Sequence, residues 1–323
     1  MNEFDFIKTI KPSAYQQSSL IKGIGDDAAV FRQTHADIVT AVDTFVEGVH
    51  FSKETMSAHE IGYRALAVNV SDMAAMGAVP AMCLVSIVFS SEWKKEERIE
   101  IMNGIKTMGK KYQVDLIGGD TVSGESLVIS ITIIGYVDQD CARYRSTAEV
   151  DDVVFVTGTL GDSAAGLSIL LGEQSGVGDV AYYIRRHTRP QPRVNFVQEL
   201  NHLNRVTLND VSDGIANEAA EIAEASQVDI YLDDTKIPVH DTFHQFDQNQ
   251  QYSWKYFGGE DFEILGTVPS EEWEAIKRAA TAVGVRVTKI GQVRQGEGLV
   301  YIQKDSKIEV LPKDGYEHKE IGD

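Results

Sequence analysis

The sequence predicts a two-domain α/β protein, and three observations lead to this prediction. The chain has 323 residues, more than one ordinary hydrophobic core organises. Hydrophobic residues make up 43% of it, enough to bury a large core and to argue against disorder. Strand-like and helix-like patterns alternate in both halves, and residues 138–152 between them are polar and charged. We therefore place domains at 1–138 and 139–323.

The first half begins with strand-like runs at 28–31 and 37–45. Residues 57–77 carry an apolar helical pattern that Gly77 and Pro80 close. The other predicted elements are a strand at 82–89, a charged helix at 92–112, and strands at 114–118 and 126–137. In the last strand, Ser130 and Thr132 alternate with isoleucines, the period of two that is typical of a half-buried strand.

The second half alternates between short apolar runs and helical patterns. Its predicted strands lie at 153–157, 206–209, 228–232, 261–268 and 285–293. Its predicted helices lie at 163–172, 193–203, 215–226 and 270–282. The stretch at 240–253 is rich in Gln, Asp and His, so we predict an exposed loop there.

The charge balance excludes several classes of function. A formal net charge of −19 repels DNA, RNA and anionic lipid, so neither nucleic acid nor a membrane surface is expected as a partner. A phosphate ligand can approach such a surface only with cations between them, and Mg²⁺ is the usual one. The two cysteines form no CxxC, which argues against a disulfide framework or a zinc site. With no apolar leader and no membrane-length apolar run, a soluble cytoplasmic protein is expected.

Six short motifs place an acid beside glycine or at the end of an apolar element. They are GIGDDAAV (23–30), AVDTFVEGVHF (41–51), NVSDMAAMG (69–77), IGGDT (117–121), NDVSDGI (209–215) and GGEDFEI (258–264). Asp72 is the most informative, because its helix is apolar nearly all round. A buried carboxylate must be paired or bound to metal. A salt bridge to Arg64 and a metal site both remain open, and Asn69 is a possible helper on the same face.

Asp43 and Asp120 are predicted to follow apolar strands directly, where ligands of α/β proteins collect. A turn-forming aspartate is the alternative for each, as it is for Asp27 beside Asp26. In 209–215 a plain helix N-cap competes with a ligand role, while an EF-hand is excluded because Val211 and Ala220 occupy ligand positions. Several such motifs in one chain favour oxygen ligands for Mg²⁺.

Other phosphate-binding devices receive less support. The formal GxxxxGK at 104–110 is followed by Lys111 and lies within a helical pattern, so it is not a P-loop. The glycine-rich stretch 157–166 between a strand and a helix fits either an anion at the helix N-terminus or a tight turn capped by Asp162 or Ser163. Arg145 is either a phosphate clamp or a surface arginine. His50 has no His partner at metal-ligand spacing, and no nucleophile motif occurs.

Taken in order, these motifs resemble those of the thiamine-monophosphate kinase family, part of the superfamily of aminoimidazole-ribonucleotide synthetase-like ATP enzymes. The matching runs include VDTFVEGVHF, YRALAVNVSDMAAMGAVP, IGGDT, VTGTLGDSAAGL, RRHTRPQPR, VSDGI and GGEDFEIL. They extend from about residue 23 to 266, and GYEH at 315–318 also fits. The resemblance therefore covers nearly the whole chain.

The resemblance implies direct in-line transfer of the ATP γ-phosphate to thiamine phosphate, giving thiamine diphosphate. It implies two αβ domains and a homodimer in which the N-terminal sheets pair. The implied Mg²⁺ ligands are Asp27, Asp43, Asp72, Asp120, Asp210 and Asp213. The implied ATP contacts are Gly119, Asp120, Arg145 and Ser212, with Asp120 and Arg145 as the catalytic pair. The implied substrate contacts are His50, Glu260 and Tyr316.

One departure and two rivals remain. Family members often carry Ser-Thr before the second-motif aspartate, where this chain has Ala41 and Val42, so lost hydroxyl ligands would weaken one metal site. The first rival is a sister ATP-dependent synthetase with a different acceptor. The second is a calcium-binding module without catalysis, which explains the acids but not the glycine-rich βα turns.

Overall fold

The structure is a computed structural model that describes residues 12, 14–22, 30–31, 36–304 and 307–313. The chain divides into two compact units, Met1–Ala142 and Arg143–Asp323, so the division falls four residues after the predicted boundary. Both units contain helices and strands, and the predicted mixed α/β class is confirmed.

The N-terminal unit contains a four-stranded sheet and two long helices. Its elements are β1 (Leu20–Lys22), β2 (Val30–Phe31), β3 (Ala36–Val46), α1 (Ala58–Ala75), β4 (Val79–Phe89), α2 (Lys95–Tyr112), β5 (Asp115–Ser123) and β6 (Val128–Asp138). The sheet order is β3-β6-β4-β5, with only β4 and β5 parallel among its neighbours. The predicted alternation in β6 is confirmed, because Ile129, Ile131 and Ile133 are fully buried.

Helix α1 begins at a capping box. The Glu60 backbone N–H donates to the Ser57 hydroxyl oxygen over 3.3 Å, and the Ser57 N–H donates to the Glu60 carboxylate over 3.1 Å. Gly77, with φ of +75°, closes the other end in the left-handed region. As predicted, the helix is buried on nearly all sides, with Val70 and Met73 fully inaccessible. Asp72 lies in its last turn and is half-buried.

The face of this sheet opposite to α1 remains open in the described part of the unit. Ile38, Val42 and Val122 on that face are 54%, 61% and 46% exposed. Strand β3 is eleven residues long and lies at the sheet edge. An apolar face beside a long edge strand is typical of a surface that another chain covers.

The C-terminal unit is built on a seven-stranded sheet. Its elements are β7 (Val153–Thr157), α3 (Asp162–Leu170), α4 (Val180–Thr188), α5 (Val194–Gln198), β8 (Thr207–Asp210), α6 (Ile215–Ser226), β9 (Val228–Asp233), α7 (Gln248–Phe257), β10 (Ile264–Val268), α8 (Trp273–Ala282), β11 (Val287–Gln295), β12 (Val300–Lys304) and β13 (Lys307–Val310). The strand order is β13-β12-β9-β11-β7-β10-β8, and β9 with β12 is its one parallel pair among the described strands.

Three helices of this unit differ from the sequence expectations. The stretch predicted as a loop at 240–253 contains the start of α7, because Asp247 caps the helix by accepting the Asn249 N–H over 2.8 Å, while Trp254 and Tyr256 anchor it to the core. Helix α4 was not predicted, and α5 is shorter than the predicted 193–203. Among the described residues, no helix is long and apolar enough to span a bilayer.

Candidate active site

A tight turn after β3 presents His50. The Glu47 carboxylate anchors this turn, because one of its oxygens accepts the Trp93 indole N–H over 3.0 Å and the Leu127 N–H over 2.9 Å. Gly48 occupies the left-handed region at φ of +83°. The His50 Nδ1 accepts the Val46 N–H over 3.1 Å. An Nδ1 that accepts this bond carries no proton, so the ring proton lies on Nε2 and the orientation of the ring is fixed.

Asp43 forms a carboxyl pair with Asp72. Asp43 lies inside β3 rather than after it, so its predicted position at a strand end was wrong. Its side chain is hydrogen-bonded to the side chain of Asp72. Burial raises the pKa of Asp43, while the hydrogen bond from Asp72 opposes the rise. Two carboxyl groups in contact need a proton or a cation between them.

The donor set of this pair fits a divalent cation. The Oδ2 atom of Asp43 is buried and accepts no hydrogen bond from any described residue. An ionised, buried oxygen without a donor is costly, and a hard cation is the partner that relieves it. The Asn69 amide NH₂ donates to the Ala65 carbonyl over 3.0 Å, while its Oδ1 is buried and accepts no hydrogen bond from the described residues, so the expected helper oxygen stays a prediction. Across the described ranges, no group of three acidic, His or Cys side chains forms a complete metal site.

Gly119 and Asp120 lie within β5, not after a strand that ends at residue 118 as predicted. The backbone of Gly119 passes close to β4, and a Cβ there would lie 1.9 Å from the Val85 carbonyl oxygen. Only glycine permits this pairing. Asp120 is exposed, and its Oδ1 accepts the N–H of Thr121 over 2.9 Å.

The sheet register separates Asp120 from the carboxyl pair. Asp43 pairs across the sheet with Ile131, Val85 and then Gly119, three strand spacings or about 14 Å away. Asp120 occupies the next row, with Ser86, Ser130 and Thr44, on the open face. The three expected ligands that lie among the described residues of the N-terminal unit therefore divide into a pair beneath α1 and a single acid on the opposite face.

In the C-terminal unit, a buried carboxylate organises the acidic motif at 209–215. Asp210 ends β8 and is 3% exposed. Glu218, in the first turns of α6, accepts the Ser212 hydroxyl over 3.2 Å and the Asp213 N–H over 3.0 Å. Burial, then the charge of Asp210, raises the pKa of Glu218 to about 8. The motif thus gathers more negative charge than its own hydrogen bonds neutralise.

Arg145 lies at the edge of this acidic group. Its Nε donates to the Asn209 Oδ1 over 3.0 Å, and its Nη1 lies 2.8 Å from the Glu221 carboxylate. Half of the side chain is exposed, at 50%. The guanidinium is therefore held in position by two partners and still accessible to an anion from solution.

Glu260 lies beside Ser212. The Glu260 N–H donates to the Ser212 carbonyl oxygen over 2.6 Å, and Glu260 adopts φ of +67°. Left-handed backbone at a non-glycine residue is uncommon and clusters at functional sites. The structure thus brings Ser212, Asp213 and Glu260 together at one end of β8 and β10.

Comparison with known proteins identifies the family. AIR synthase related protein models match the chain, the N-terminal domain over residues 25–137 and the C-terminal domain over 149–304. The thiamine-monophosphate kinase of Bacillus subtilis is 45% identical over 324 residues, covering 98% of this chain and 99% of that protein. The chain belongs to the thiamine-monophosphate kinase family.

Solved structures of the family share the fold. Thiamine-monophosphate kinase from Stenotrophomonas maltophilia matches with a TM-score of 0.83 and 30% identity, covering 94% of this chain and 96% of that one. AaThiL complexed with AMPPCP and TMP matches with a TM-score of 0.78 and 30% identity, covering 98% and 96%. The resemblance seen in the sequence motifs is thereby confirmed.

At two positions where family members often carry Ser and Thr, this chain has Ala41 and Val42. Val42 is 61% exposed, and strand alternation directs it to the face opposite Asp43. A hydroxyl at position 42 would therefore not reach the Asp43–Asp72 pair. Ala41 shares the face of Asp43 and offers only its backbone. Two further residues expected in the family site, Asp27 and Tyr316, lie outside the described residues.

The helix N-terminus at the family motif 157–166 is occupied by a carboxyl group of the same chain. The backbone N–H groups of Gly161 and Ser163 donate to the Asp261 carboxylate over 2.6 and 3.0 Å. Asp261 belongs to the GGEDFEI motif, and burial, then the charge of Asp162, raises its pKa to about 8. Gly161, not Asp162 or Ser163, is the N-cap residue.

A buried arginine network in this family member was not predicted. Glu263 is fully buried and accepts hydrogen bonds from Arg193, Arg186 and Thr157. Burial alone would raise the pKa of Glu263, but the charges of Arg193 and Arg186 outweigh it and hold the pKa below its ordinary value. Spacing gave no signal, because the partners are 70 to 106 residues apart. Glu218 was missed for a similar reason, since a first-turn glutamate reads as an ordinary helix residue.

Proposed function

We propose that this chain transfers the γ-phosphate of ATP to thiamine phosphate, giving ADP and thiamine diphosphate. The observation that carries the proposal is the Asp43–Asp72 carboxyl pair, whose buried Oδ2 atom has no hydrogen-bond donor among the described residues. Family membership supports the same reaction, and a structure of the family contains AMPPCP, an ATP analogue, together with TMP.

The residues proposed to hold Mg²⁺ are the aspartates of the acidic motifs. They are Asp43, Asp72 and Asp120 in the N-terminal unit, Asp210 and Asp213 in the C-terminal unit, and Asp27 outside the described residues. When bound, Mg²⁺ would neutralise phosphate charge and hold phosphate oxygens on a protein of net charge −19. Few carboxylates per ion are needed, because substrate phosphates complete the coordination.

Arg145 is proposed to clamp an ATP phosphate. Its present partners fix the plane of the guanidinium, and its exposed half leaves N–H donors for a bidentate contact. Ser212 and the backbone at Gly119 are the further ATP contacts proposed from the family motifs. Together these groups position the transferred phosphoryl group, which is the protein's main task in this chemistry.

His50 is proposed to bind the acceptor as a hydrogen-bond donor. Its Nδ1 accepts the Val46 N–H, which fixes the orientation of the ring at the turn after β3. Transfer needs no general base, since the attacking phosphate is already ionised near neutral pH. Glu260, and Tyr316 beyond the described residues, complete the proposed acceptor contacts.

The homodimer is proposed from the open apolar face of the N-terminal sheet. Ile38, Val42 and Val122 on that face, beside the β3 edge, supply the kind of surface that a second copy covers. The cytoplasmic location stays a prediction from the sequence.

The test is incubation with ATP, Mg²⁺ and thiamine phosphate while ADP and thiamine diphosphate are measured. A sister synthetase would ignore thiamine phosphate, and a calcium-binding module would release no ADP. The Asp120→Asn variant should abolish turnover yet keep a folded chain by circular dichroism. Near-wild-type activity of that variant at moderate Mg²⁺ would contradict the proposal.

The Arg145→Lys variant should be less active than the wild-type chain. Lysine keeps the positive charge but cannot form the planar, bidentate contact of a guanidinium.

A further inference from the structure

A pocket of about 340 Å³ in the C-terminal unit is lined by arginines. They come from three separate segments: the end of α4, the stretch that follows it, and the loop before β11. The arginines are Arg185, Arg186, Arg189, Arg193 and Arg286. One acid, Glu263, lines the pocket with them. Such a concentration of positive charge is unexpected in a chain of net charge −19.

The inner wall of the pocket is electrically balanced. Arg186 Nη2 lies 2.8 Å from a Glu263 carboxylate oxygen, and Arg193 donates to both oxygens of that carboxylate, its Nε over 2.6 Å. Arg186 also lies 3.2 Å from the buried Asp162. These two guanidiniums are thus held rigidly, with their orientation fixed before any ligand arrives.

The rim of the pocket carries positive charge that no acid pairs with in the described part of the chain. Arg185 and Arg286 are both exposed, and neither forms an ion pair within the described part of the chain. Arg185 lies in the last turn of α4, where a cation also favours the helix dipole. That explanation does not extend to Arg286, which lies about a hundred residues away in sequence. Its carbonyl accepts the Gly158 N–H over 2.9 Å, which fixes the Arg286 backbone at the pocket wall.

We propose that this pocket binds a small phosphate-bearing anion directly, without a metal ion. Guanidinium groups match phosphate oxygens in a planar, bidentate geometry, and several converge here from fixed elements. The volume lies at the lower end of the range for small-ligand sites, so a compact ligand fits and a polymer does not. Thr159, Tyr182 and Gln191 add hydroxyl and amide groups for its uncharged part. The inference does not depend on the proposed kinase activity.

The experiment measures binding of inorganic pyrophosphate to the full chain by isothermal titration calorimetry in EDTA. EDTA removes any phosphate binding that divalent cations mediate at the acidic motifs. Saturable binding with one site per chain is expected, weakening as salt is raised. An R185A/R286A double variant should bind at least tenfold more weakly. The matched control is R278A, which removes an exposed arginine of the same unit outside the pocket and should leave the affinity unchanged.

Three outcomes would overturn the proposal: titrations of the wild-type chain that do not saturate, an equal loss in R278A, or an unchanged affinity in the double variant. Because Arg185 and Arg286 are exposed, the double variant should keep the wild-type circular dichroism and thermal midpoint. If it does not fold, R286K serves instead and should still weaken binding, since lysine keeps the charge but loses the fork. Parallel titrations with inorganic phosphate and with an organic phosphate monoester tell a free phosphate ligand from a phosphorylated metabolite.

Discussion

Replacing Glu263 by glutamine tests whether the buried arginine network stabilises the C-terminal unit. The Glu263 carboxylate accepts hydrogen bonds from Arg193, Arg186 and Thr157, and it is completely buried. Glutamine keeps the volume but removes the charge and points an NH₂ group at other donors. Breaking one partner of a buried, hydrogen-bonded ion pair costs about 3–5 kcal/mol. In a unit of this size that corresponds to a fall in Tm of roughly 6–20 °C.

The assay is urea and thermal unfolding, followed by circular dichroism and by the fluorescence of Trp254 and Trp273 in this unit. The matched control is Glu309→Gln, which neutralises an exposed glutamate of the same unit and should change stability by less than about 0.5 kcal/mol. A Glu263→Gln variant within about 1 kcal/mol of the wild-type chain at pH 7 would refute the reasoning, because a stabilising network cannot lose its central anion at so little cost.

The pH dependence of stability provides a second test of the role of Glu263. The folded chain holds the pKa of Glu263 below its ordinary value of 4.5. Its contribution is therefore complete above pH 4.5 and is lost as the pH falls through the folded-state pKa. The gap in stability between wild type and Glu263→Gln should be constant from pH 7 to about 5 and narrow below 4.5. A gap that widens in acid would contradict this assignment.

Three further outcomes are expected. Asp72→Asn should lower turnover at least about a hundredfold while keeping or raising stability without Mg²⁺, since it relieves carboxylate repulsion; equal kcat values would contradict its role. Gly119→Ala should cost about 3 kcal/mol or more, because its Cβ would lie 1.9 Å from a backbone oxygen of β4, whereas Gly118→Ala meets only a leucine side chain at 3.1 Å. Val42→Asp should give monomers by light scattering, while Val150→Asp, at a surface valine of the other unit, should leave the mass unchanged.

Local patterns predicted most of the framework. The period of two placed the isoleucines of β6 in the core, and the apolar helical pattern with its glycine stop at Gly77 set the limits of α1 to within two residues. These features depend on neighbours in sequence, so a window of residues contains their cause. The start of α7 was missed because its polar first turn is typical of a loop, and its aromatic anchors come later.

The sequence motifs proposed the residues of the candidate site but not their geometry. Asp43 and Asp120 were expected at strand ends, and both lie within strands whose register sends them to opposite faces of one sheet. Register depends on pairing between distant segments, which no local pattern encodes. For the same reason, the partners of Glu218 and Glu263 could not be predicted, since each carboxylate acquires its role from residues that folding brings together.

The two carboxylates differ in what surrounds them, and this difference decides how each part of the molecule can meet an anion. Glu218 lies among acids, and its pKa rises to about 8, so a phosphate can approach that region only if cations come with it. Glu263 lies among arginines, and its pKa falls. There the carboxylate is the minority charge, and a phosphate competes with no excess of acids. An acidic protein can therefore hold two kinds of phosphate site that EDTA distinguishes. Binding at the first is lost when EDTA removes the metal, and binding at the second persists.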